Sequence, residues 1–437
     1  MNEISRLRGV TQAVDLIEEP AERPRLKPRY SGAFGVLDIG TSKIVCVIAR
    51  VESDGSPRVL GCGWQRGRGV RAGAIVDIEE AERAIRAAVG QAEEEAGTRL
   101  KSVIVNLSAG QPESRLLSVE WEIGGRAVAD ADLRRVFAGT RLRATQEGRS
   151  IVHNLPLSFA VDEATGVTDP RGLFCEKLGA RMNVIDAVTT SLRSLDACLA
   201  RCDLEIAELV SAPMAAGMAT LTAGQRMLGA TVLDMGGGTT GLAVFAEGHL
   251  LHTAQIPIGG VHVTNDIANV LHTMPNHAER LKTLYGSAQS SPDDEREMLA
   301  VPMIGEEDHH IAKVPRSMVV RVIQPRLEET FELVRERIEA AGLSRVALQR
   351  VVLTGGASQL PGTRDMAARL LGADVRTARP VPVRGLPDSS SGPAFATAVG
   401  LLGWAAGEGR AFHDLDPDQD TPRGLLRRVL EFLKQRL

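Results

Sequence analysis

No apolar run in this sequence approaches the roughly 20 residues that a membrane-spanning helix needs, and the N-terminus lacks the apolar core of a signal peptide. Those absences argue against a spanning or exported protein and make the cytoplasm the expected compartment. An excess of positive charge is missing too. With 51 Lys and Arg against 55 Asp and Glu the net charge is −4, so no nucleic-acid partner is expected. The five cysteines (Cys46, Cys62, Cys175, Cys198, Cys202) form no CxxC pair, which argues against a disulfide or zinc framework and for buried, reduced thiols. Cys198 and Cys202 stand one helical turn apart, but no His or further Cys accompanies them as a ligand set should. What the chain does have is apolar content, 43% of 437 residues, enough for more than one core and about two to four domains.

The organising stretch is VLDMGGGTTGLAVF, residues 232–245. An apolar strand runs into Asp234, then Gly236, Gly237, Gly238, Thr239 and Thr240, then a second apolar strand. Glycines at such a turn let backbone N–H groups close on an anion without a Cβ in the way. The Asp is placed to hold a hydrated Mg²⁺, and the Thr hydroxyls can reach phosphate oxygens. A glycine run alone also describes an ordinary hairpin turn. Residues 36–48, VLDIGTSKIVCVI, tip the balance with a second strand, Asp, glycine turn and strand. Asp38 and Asp234 stand a domain-sized offset apart, which suggests a duplicated half. Two such turns face to face would clamp a polyphosphate and its metal between two lobes.

Residues 1–32 are charged and punctuated by Pro20, Pro24 and Pro28, the composition of an arm without a fold of its own. A meander is expected from Gly35, with strands at 44–51 and 58–64 around a turn at Asp54-Gly55-Ser56-Pro57. Ile78, Ala81, Ile85, Ala88, Val89 and Ala92 share one face of a helix over 78–96, stopped by Gly97. Residues 101–180 interrupt the pattern with strands at 102–110 and 151–162 and a basic helix at 130–144, enough for an inserted subdomain. His153 within it reads as structural, since no metal-spaced partner accompanies it. A strand at 184–190, an amphipathic helix over 191–204 and a small-residue helix at 210–221 containing Pro213 follow. Gly259 and Gly260 precede a helix and offer another candidate phosphate contact. Residues 278–286 are helical up to Gly286, 287–310 form a polar, acidic excursion, and 319–342 form a long helix stopped by Gly342. RVVLTGGASQLPGT (350–363) is a third strand-to-glycine turn, with a helix near 364–371. Such units make the fold class α/β with central sheets.

In this order, VLDIGTSKI, VLDMGGGTT and VVLTGGASQLPG resemble the two phosphate motifs and the adenosine motif of the superfamily of actin, sugar kinases and the seventy-kilodalton chaperones. Within it the chain is similar to the FtsA family of bacterial cell-division proteins. RGVRAGAIVDIEEAERAI (68–85), SVIVNLSAG, HNLPLSFAVD, IPIGGVHVTNDIA, VIQPR (322–326) and AVGLLGW (398–404) fall where that family has similar segments, over about residues 33–437. The resemblance implies an actin-like two-lobed ATPase fold with an inserted α/β subdomain and a C-terminal amphipathic helix. Residues 33–100 and 181–209 would form the first lobe, 101–180 the insertion, and 210–404 the second lobe with 261–345 as its outer subdomain. A linker at 405–421 and a membrane helix at 422–437 would follow.

The resemblance also implies an ATP-binding protein that polymerises and tethers the FtsZ ring to the cytoplasmic face of the inner membrane at the division septum, helping recruit later division proteins. Asp38 and Asp234 would orient Mg²⁺ through waters. Gly40, Thr41, Ser42 and Lys43, with Gly236, Gly237, Gly238 and Thr239, would hold the β- and γ-phosphates. Gly355, Gly356 and Ala357 would border the adenosine, with Glu279 and Lys282 as ribose or base contacts. Two positions depart from the superfamily. A Glu that positions the attacking water commonly precedes the Pro of the small-residue helix, and here that place holds Ala212. The glycine motif commonly continues into an Asp, and here that place holds Gly241. Tight binding with slow hydrolysis is the expectation. A small-molecule kinase of the same fold, or an adaptor of another envelope machine such as pilus assembly, are the alternatives.

The tail changes character abruptly. Asp414, Asp416, Asp418 and Asp420 space out an extended acidic linker. Beyond it, Leu425, Leu426, Val429, Leu430, Phe432, Leu433 and Leu437 share one helical face, with Arg423, Arg427, Arg428 and Lys434 opposite. A wide apolar face with a basic back suits inner-membrane lipids, although docking on the protein's own core would use the same pattern. Arg316, Arg321 and Arg326 lie near where the family receives the acidic C-terminal peptide of FtsZ, and guanidiniums suit carboxylates. An ordinary solvated helix face would hold the same residues.

Overall fold

The computed structural model describes Tyr30, residues 32–304 and residues 311–407. The arm up to residue 29, almost all of the linker and the end helix at 422–437 lie outside the described residues.

Strands β1 (Ala33–Ile39), β2 (Lys43–Val51) and β3 (Pro57–Arg66) form the antiparallel meander expected of this region. A short hairpin, β4 (Val70–Arg71) and β5 (Ala74–Ile75), leads into α1 (Ile78–Ala96). Asp77 caps α1 by accepting from the N–H groups of Glu79 and Glu80, and Gly97 ends it at a φ of 62°. The helix lies almost on the strand backbone: a Cβ on Gly63 would come 2.0 Å from the Ala88 carbonyl oxygen. β6 (Ser102–Leu107) then pairs in parallel with β1.

An inserted unit follows: β7 (Glu113–Ala127), α2 (Asp130–Ala144), β8 (Arg149–Val161), β9 (Ala164–Val167) and β10 (Phe174–Val188). Its sheet runs β7-β10-β8-β9, and α2 covers it through Leu133, Val136 and Phe137 against Phe159, Leu178 and Met182. The boundaries read from sequence at 101 and 180 therefore move. Residues 102–107 complete the first lobe's sheet, and 184–188, read as a first-lobe strand, are the end of β10. An apolar strand looks alike whichever sheet it joins, so only its pairing decides. α3 (Thr189–Arg201) and β11 (Glu205–Ser211) return to the first lobe, whose sheet reads β3-β2-β1-β6-β11.

The second lobe opens with α4 (Ala212–Thr220) and α5 (Ala223–Leu228), then β12 (Ala230–Met235), β13 (Thr240–Ala246) and β14 (His249–Ile256). α6 (Gly260–Val270), α7 (Pro275–Tyr285), β15 (Met298–Pro302), β16 (Ile311–Pro315), α8 (Arg316–Ala340) and α9 (Ser344–Ala347) come next. β17 (Arg350–Thr354), α10 (Thr363–Leu371), β18 (Asp374–Thr377) and α11 (Ala396–Ala406) close it. The excursion expected at 287–310 is only partly one: β15 pairs with β16 and buries Leu299 and Val301. α8 starts at Arg316 rather than 319. The second sheet, β14-β13-β12-β17-β18, repeats the plan of the first, three antiparallel strands followed by two parallel ones. That repetition is what the two Asp-glycine turns suggested. All five cysteines are buried and free, and among the described residues no helix is long and apolar enough to cross a membrane.

The lobes meet across α4 and α11, where Val36, Val45, Met214, Ala215, Val232 and Leu401 share one core. Crossing is close because Gly400 has no side chain: a Cβ there would stand 1.8 Å from the Ala215 carbonyl oxygen. Gly400→Ala should therefore cost about 1–3 kcal/mol through overpacking against backbone. Gly90, inside α1 with nothing within 4 Å of a built Cβ, is the control, and Gly90→Ala should gain about 0.5–1 kcal/mol. Denaturant midpoints read both, and equal midpoints for the two variants would remove the close crossing as a constraint.

Candidate functional site

The ends of β1 and β12 point at one another across the lobe junction, and the turns that follow them wall a single cavity of ≈ 490 Å³. Every position read from sequence as a nucleotide or metal contact is on its wall: 38, 40–43, 234, 236–239, 259, 260, 279, 282 and 355–357. The turns touch. A Cβ on Gly237 would stand 1.9 Å from Ser42 Oγ, and one on Gly238 would stand 2.2 Å from Thr41 Oγ1. Glycine is required there because hydroxyls of the opposite lobe already occupy the space. Gly355 carries a φ of 84°, and a Cβ on it would lie 2.5 Å from Asp234 Oδ1. The third glycine turn is thus fitted against the carboxylate of the second.

Three charged groups gather here, Asp38 buried and Lys43 and Asp234 half-buried. Burial pushes the Asp38 carboxyl up to about 6, with Lys43 opposing the shift and Asp234 adding to it. Burial also pulls the Lys43 ammonium down to about 8 against the attraction of both carboxylates. Asp234 is raised by burial, although the Thr397 hydroxyl donates to its Oδ2 at 2.8 Å and Lys43 favours its ionised form. Lys43 donates to the Ala394 carbonyl and its Nζ sits 3.4 Å over the centre of the Phe395 ring. Among the described residues no three His, Cys, Asp or Glu side chains converge as a metal cage. Two hard carboxylates that burial makes reluctant to ionise suit a divalent cation completed by phosphate and water, the way magnesium accompanies nucleotides.

Gly259 and Gly260 do not offer free donors, which corrects the expectation that they meet phosphate. The Gly260 and Val261 N–H groups donate to the carbonyls of Gly236 and Gly237 at 3.0 and 2.8 Å, and the Gly259 N–H donates to His262 Nδ1 at 3.1 Å. The start of α6 therefore braces the glycine turn from behind. Lys282 Nζ donates to Gly260 O at 3.0 Å, Thr264 Oγ1 at 2.8 Å and Glu279 Oε2 at 2.7 Å, tying α7 to the same brace. Sequence reasoning missed Asn106, whose Oδ1 accepts from the Ile39 N–H at 2.7 Å and so fixes the end of β1. It also missed Thr397, Phe395 and Gln255. Asn106 had a legible signal, a lone amide closing an apolar strand; the other three had none. Ala212 and Gly241, the two departures, both line the cavity.

The remaining candidates lie elsewhere. Arg316 donates to Tyr285 O and Asp294, Arg321 pairs with Glu295, and Arg326 pairs with Asp266 and Glu329. Each guanidinium is thus held by a carboxylate of its own chain. His153 is buried, its Nε2 accepting from the Ser211 N–H at 3.1 Å and burial pulling its pKa down to about 3. It is structural, as expected.

Comparison with known proteins then decides the family. The model described as "Cell division protein FtsA" matches residues 231–400, and the one described as "SHS2 domain inserted in FTSA" matches residues 109–186, the inserted unit. "Cell division protein FtsA" of Agrobacterium fabrum is 42% identical over 87% of this chain and 89% of its own length. That of Escherichia coli K12 is 31% identical over 84% of this chain and 88% of its own. The chain belongs to the FtsA family of cell-division proteins. Among solved structures, the "PilM-PilN type IV pilus biogenesis complex" aligns with a TM-score of 0.61 at 17% identity, over 88% of this FtsA-family chain and 99% of that one. "MreB 5 of Spiroplasma citri bound to AMPPNP" aligns at 0.53 and 13%, again over 88% and 99%. The fold of the FtsA-family chain is accordingly actin-like, with the SHS2 unit inserted in its first lobe.

The raised Asp38 pKa sets a sign. The folded state binds that proton more tightly than the unfolded chain does, so the contribution to stability is fully present below pH 3.8 and lost as pH rises through about 6. A loss on the order of 2–3 kcal/mol across that window is expected for protein free of ligand. Asp38→Asn should make it shallower, leaving the part of the same sign that the raised Asp234 contributes; a variant whose urea midpoints fall as steeply from pH 4 to pH 6 as the parent's would show that Asp38 is not the group responsible.

Proposed function

We propose that this FtsA-family protein is an ATP-dependent scaffold that polymerises, attaches to the cytoplasmic face of the inner membrane and holds the FtsZ ring there, helping to recruit later division proteins. The observation that carries the reading is the convergence of both glycine turns, the 355–357 turn and the carboxylates of Asp38 and Asp234 on one cavity between lobes. Backbone donors at 41–42 and 237–239 would hold the β- and γ-phosphates, while the Gly40 and Gly236 N–H groups, which donate to Lys43 O and to Asp234 O and Thr239 O, keep the two turns closed. Lys43 would leave Ala394 for a phosphate oxygen, a stronger acceptor. Asp38 and Asp234 would face Mg²⁺ through water, and the metal supplies neutralisation of phosphate charge. Gly355, Gly356 and Ala357 would border adenosine, with Glu279 and Lys282 towards its ribose or base. With Ala212 and Gly241 in place of carboxylates, no base is on hand for the attacking water, so turnover is slow and the bound triphosphate persists.

Attachment would come from 423–437. Each basic side chain near an anionic leaflet adds about 1 kcal/mol, which makes one tail reversible and a filament of tails firm. For the acidic FtsZ peptide, Arg321 is the most accessible of the three arginines, its side chain 65% exposed. Arg316 and Arg326 would have to exchange an internal carboxylate for one of the peptide's.

Calorimetry on the full chain should find Mg²⁺-dependent ATP uptake that Asp38→Asn or Asp234→Asn weakens at least about 100-fold. At pH 6 it should be accompanied by proton release, because ionised Asp38 faces the cation. ATP uptake indifferent to Mg²⁺ and to both substitutions would defeat the reading of the site. Deleting 423–437 should abolish flotation with anionic liposomes while ATP affinity stays unchanged; flotation that survives the deletion places the anchor elsewhere. Protein that floats but fails to retain FtsZ would favour an adaptor of another envelope machine.

A further inference from the structure

Gln255 carries an amide whose buried oxygen finds no partner among the described residues. It stands on β14 opposite Gly241 of β13 in the antiparallel register, and directly opposed positions share one face of a sheet. It lines the cavity together with Ala212, Pro213 and Thr239, the wall that lacks a carboxylate. A side chain at 241 would crowd Pro213, whose Cγ lies 2.9 Å from where a Cβ would stand. The neighbouring strand is the other place from which a functional group can reach this corner. Gln255 Nε2 donates to Thr239 Oγ1 at 3.0 Å. Its Oε1 is shut off from solvent and has no hydrogen-bond partner among the described residues. Thr239 therefore serves one end of the amide, and in the orientation present the oxygen is the end left unpaired. An unpaired buried amide end costs about 1–3 kcal/mol, a cost that Met at the same place would avoid.

We propose that Gln255 is the residue that reads the terminal phosphate of a bound nucleoside triphosphate. The amide pivots about its contact with Thr239 when the triphosphate binds, which brings the unpaired oxygen out of its buried position to accept from the water beside that phosphate. This rests on the nucleotide reading of the cavity and adds to it a group that distinguishes triphosphate from diphosphate. An amide orients water but does not take its proton. In hydrolysis the water oxygen bonds to the terminal phosphorus, the bond from that phosphorus to the bridging oxygen breaks, ADP leaves with the bridging oxygen, and the water's proton goes to the released phosphate. Gln255 holds the water for that step without accelerating the proton transfer, so the triphosphate state is recognised and long-lived.

The test compares the full chain with Gln255→Met and Gln255→Glu, both close to the parent in volume. By calorimetry with Mg–ATP and Mg–ADP, Gln255→Met should bind ATP about tenfold more weakly, a loss of about 1.4 kcal/mol, and ADP within about twofold of the parent. Its ligand-free melting midpoint should equal or exceed the parent's. Gln255→Glu supplies the missing base, so its single-turnover hydrolysis should rise at least about tenfold and its pH–rate profile should gain an ionisation that the parent lacks. A Gln255→Met protein with an unchanged ATP-to-ADP affinity ratio overturns the proposal, and so does a folded Gln255→Glu protein with no added limb in its profile. Both of those outcomes leave the nucleotide site standing. A parent that binds neither nucleotide overturns the site and the proposal together.

Discussion

Two carboxylates and one ammonium, Asp38 buried and Asp234 and Lys43 half-buried, gather where the lobes of this protein meet. Each alone would be expensive to bury, and together they are only partly compensated. The rest of the site is arranged around keeping them in place. Asn106 pins the backbone beside Asp38, the Thr397 hydroxyl holds Asp234, and the Ala394 carbonyl and Phe395 ring receive Lys43. Glycine turns from the two lobes then close to contact distance, so the lobes cannot separate or approach without moving the charged groups. Geometry at the junction and electrostatics in the cavity are one constraint.

α11 extends that constraint away from the cavity. Near its start, Thr397 touches Asp234; near its end, Trp404 donates to Glu208 at 2.9 Å, and Glu208 also accepts from the Tyr30 hydroxyl at 2.5 Å. One helix therefore joins the cavity carboxylate of Asp234 to the place where both ends of the described chain converge. Gly400 lets the same helix lie directly on α4, which carries Ala212 into the cavity wall. A rigid element fixed at three points transmits a shift at one of them to the others. On the proposed function, this is the shortest physical route from phosphate to the root of the tail.

Much of this was legible in the sequence because it is local. The helix at 78–96 needs only its spacing, a capping Asp and a stopping glycine, and the three glycine turns declare themselves through the strands that precede them. The duplication was legible for the same reason. What escaped depends on pairing between distant segments. Residues 102–107 belong to the first lobe only because they hydrogen-bond to β1, and 184–188 to the insertion only because β10 runs unbroken through it. Thr397 and Gln255 are ordinary polar residues until the fold sets them beside Asp234 and Thr239. The donors of Gly259 and Gly260 seemed available until α6 proved to be packed on the very turn it was expected to assist.

The departures at Ala212 and Gly241 follow from the same packing. Pro213 fills the volume that a side chain at 241 would need, and α4 brings Ala212 to the wall with no group that can accept a proton. Restoring either carboxylate would place a third acid near Asp38 and Asp234, whose own ionisation burial already resists. Like charges in so little water would raise one another further. On the proposed function, a third carboxylate in the cavity would add its charge to that of the metal-bound polyphosphate and the two Asp side chains. Slow turnover then follows from how the site binds, and a neutral amide fills the corner without adding to that charge.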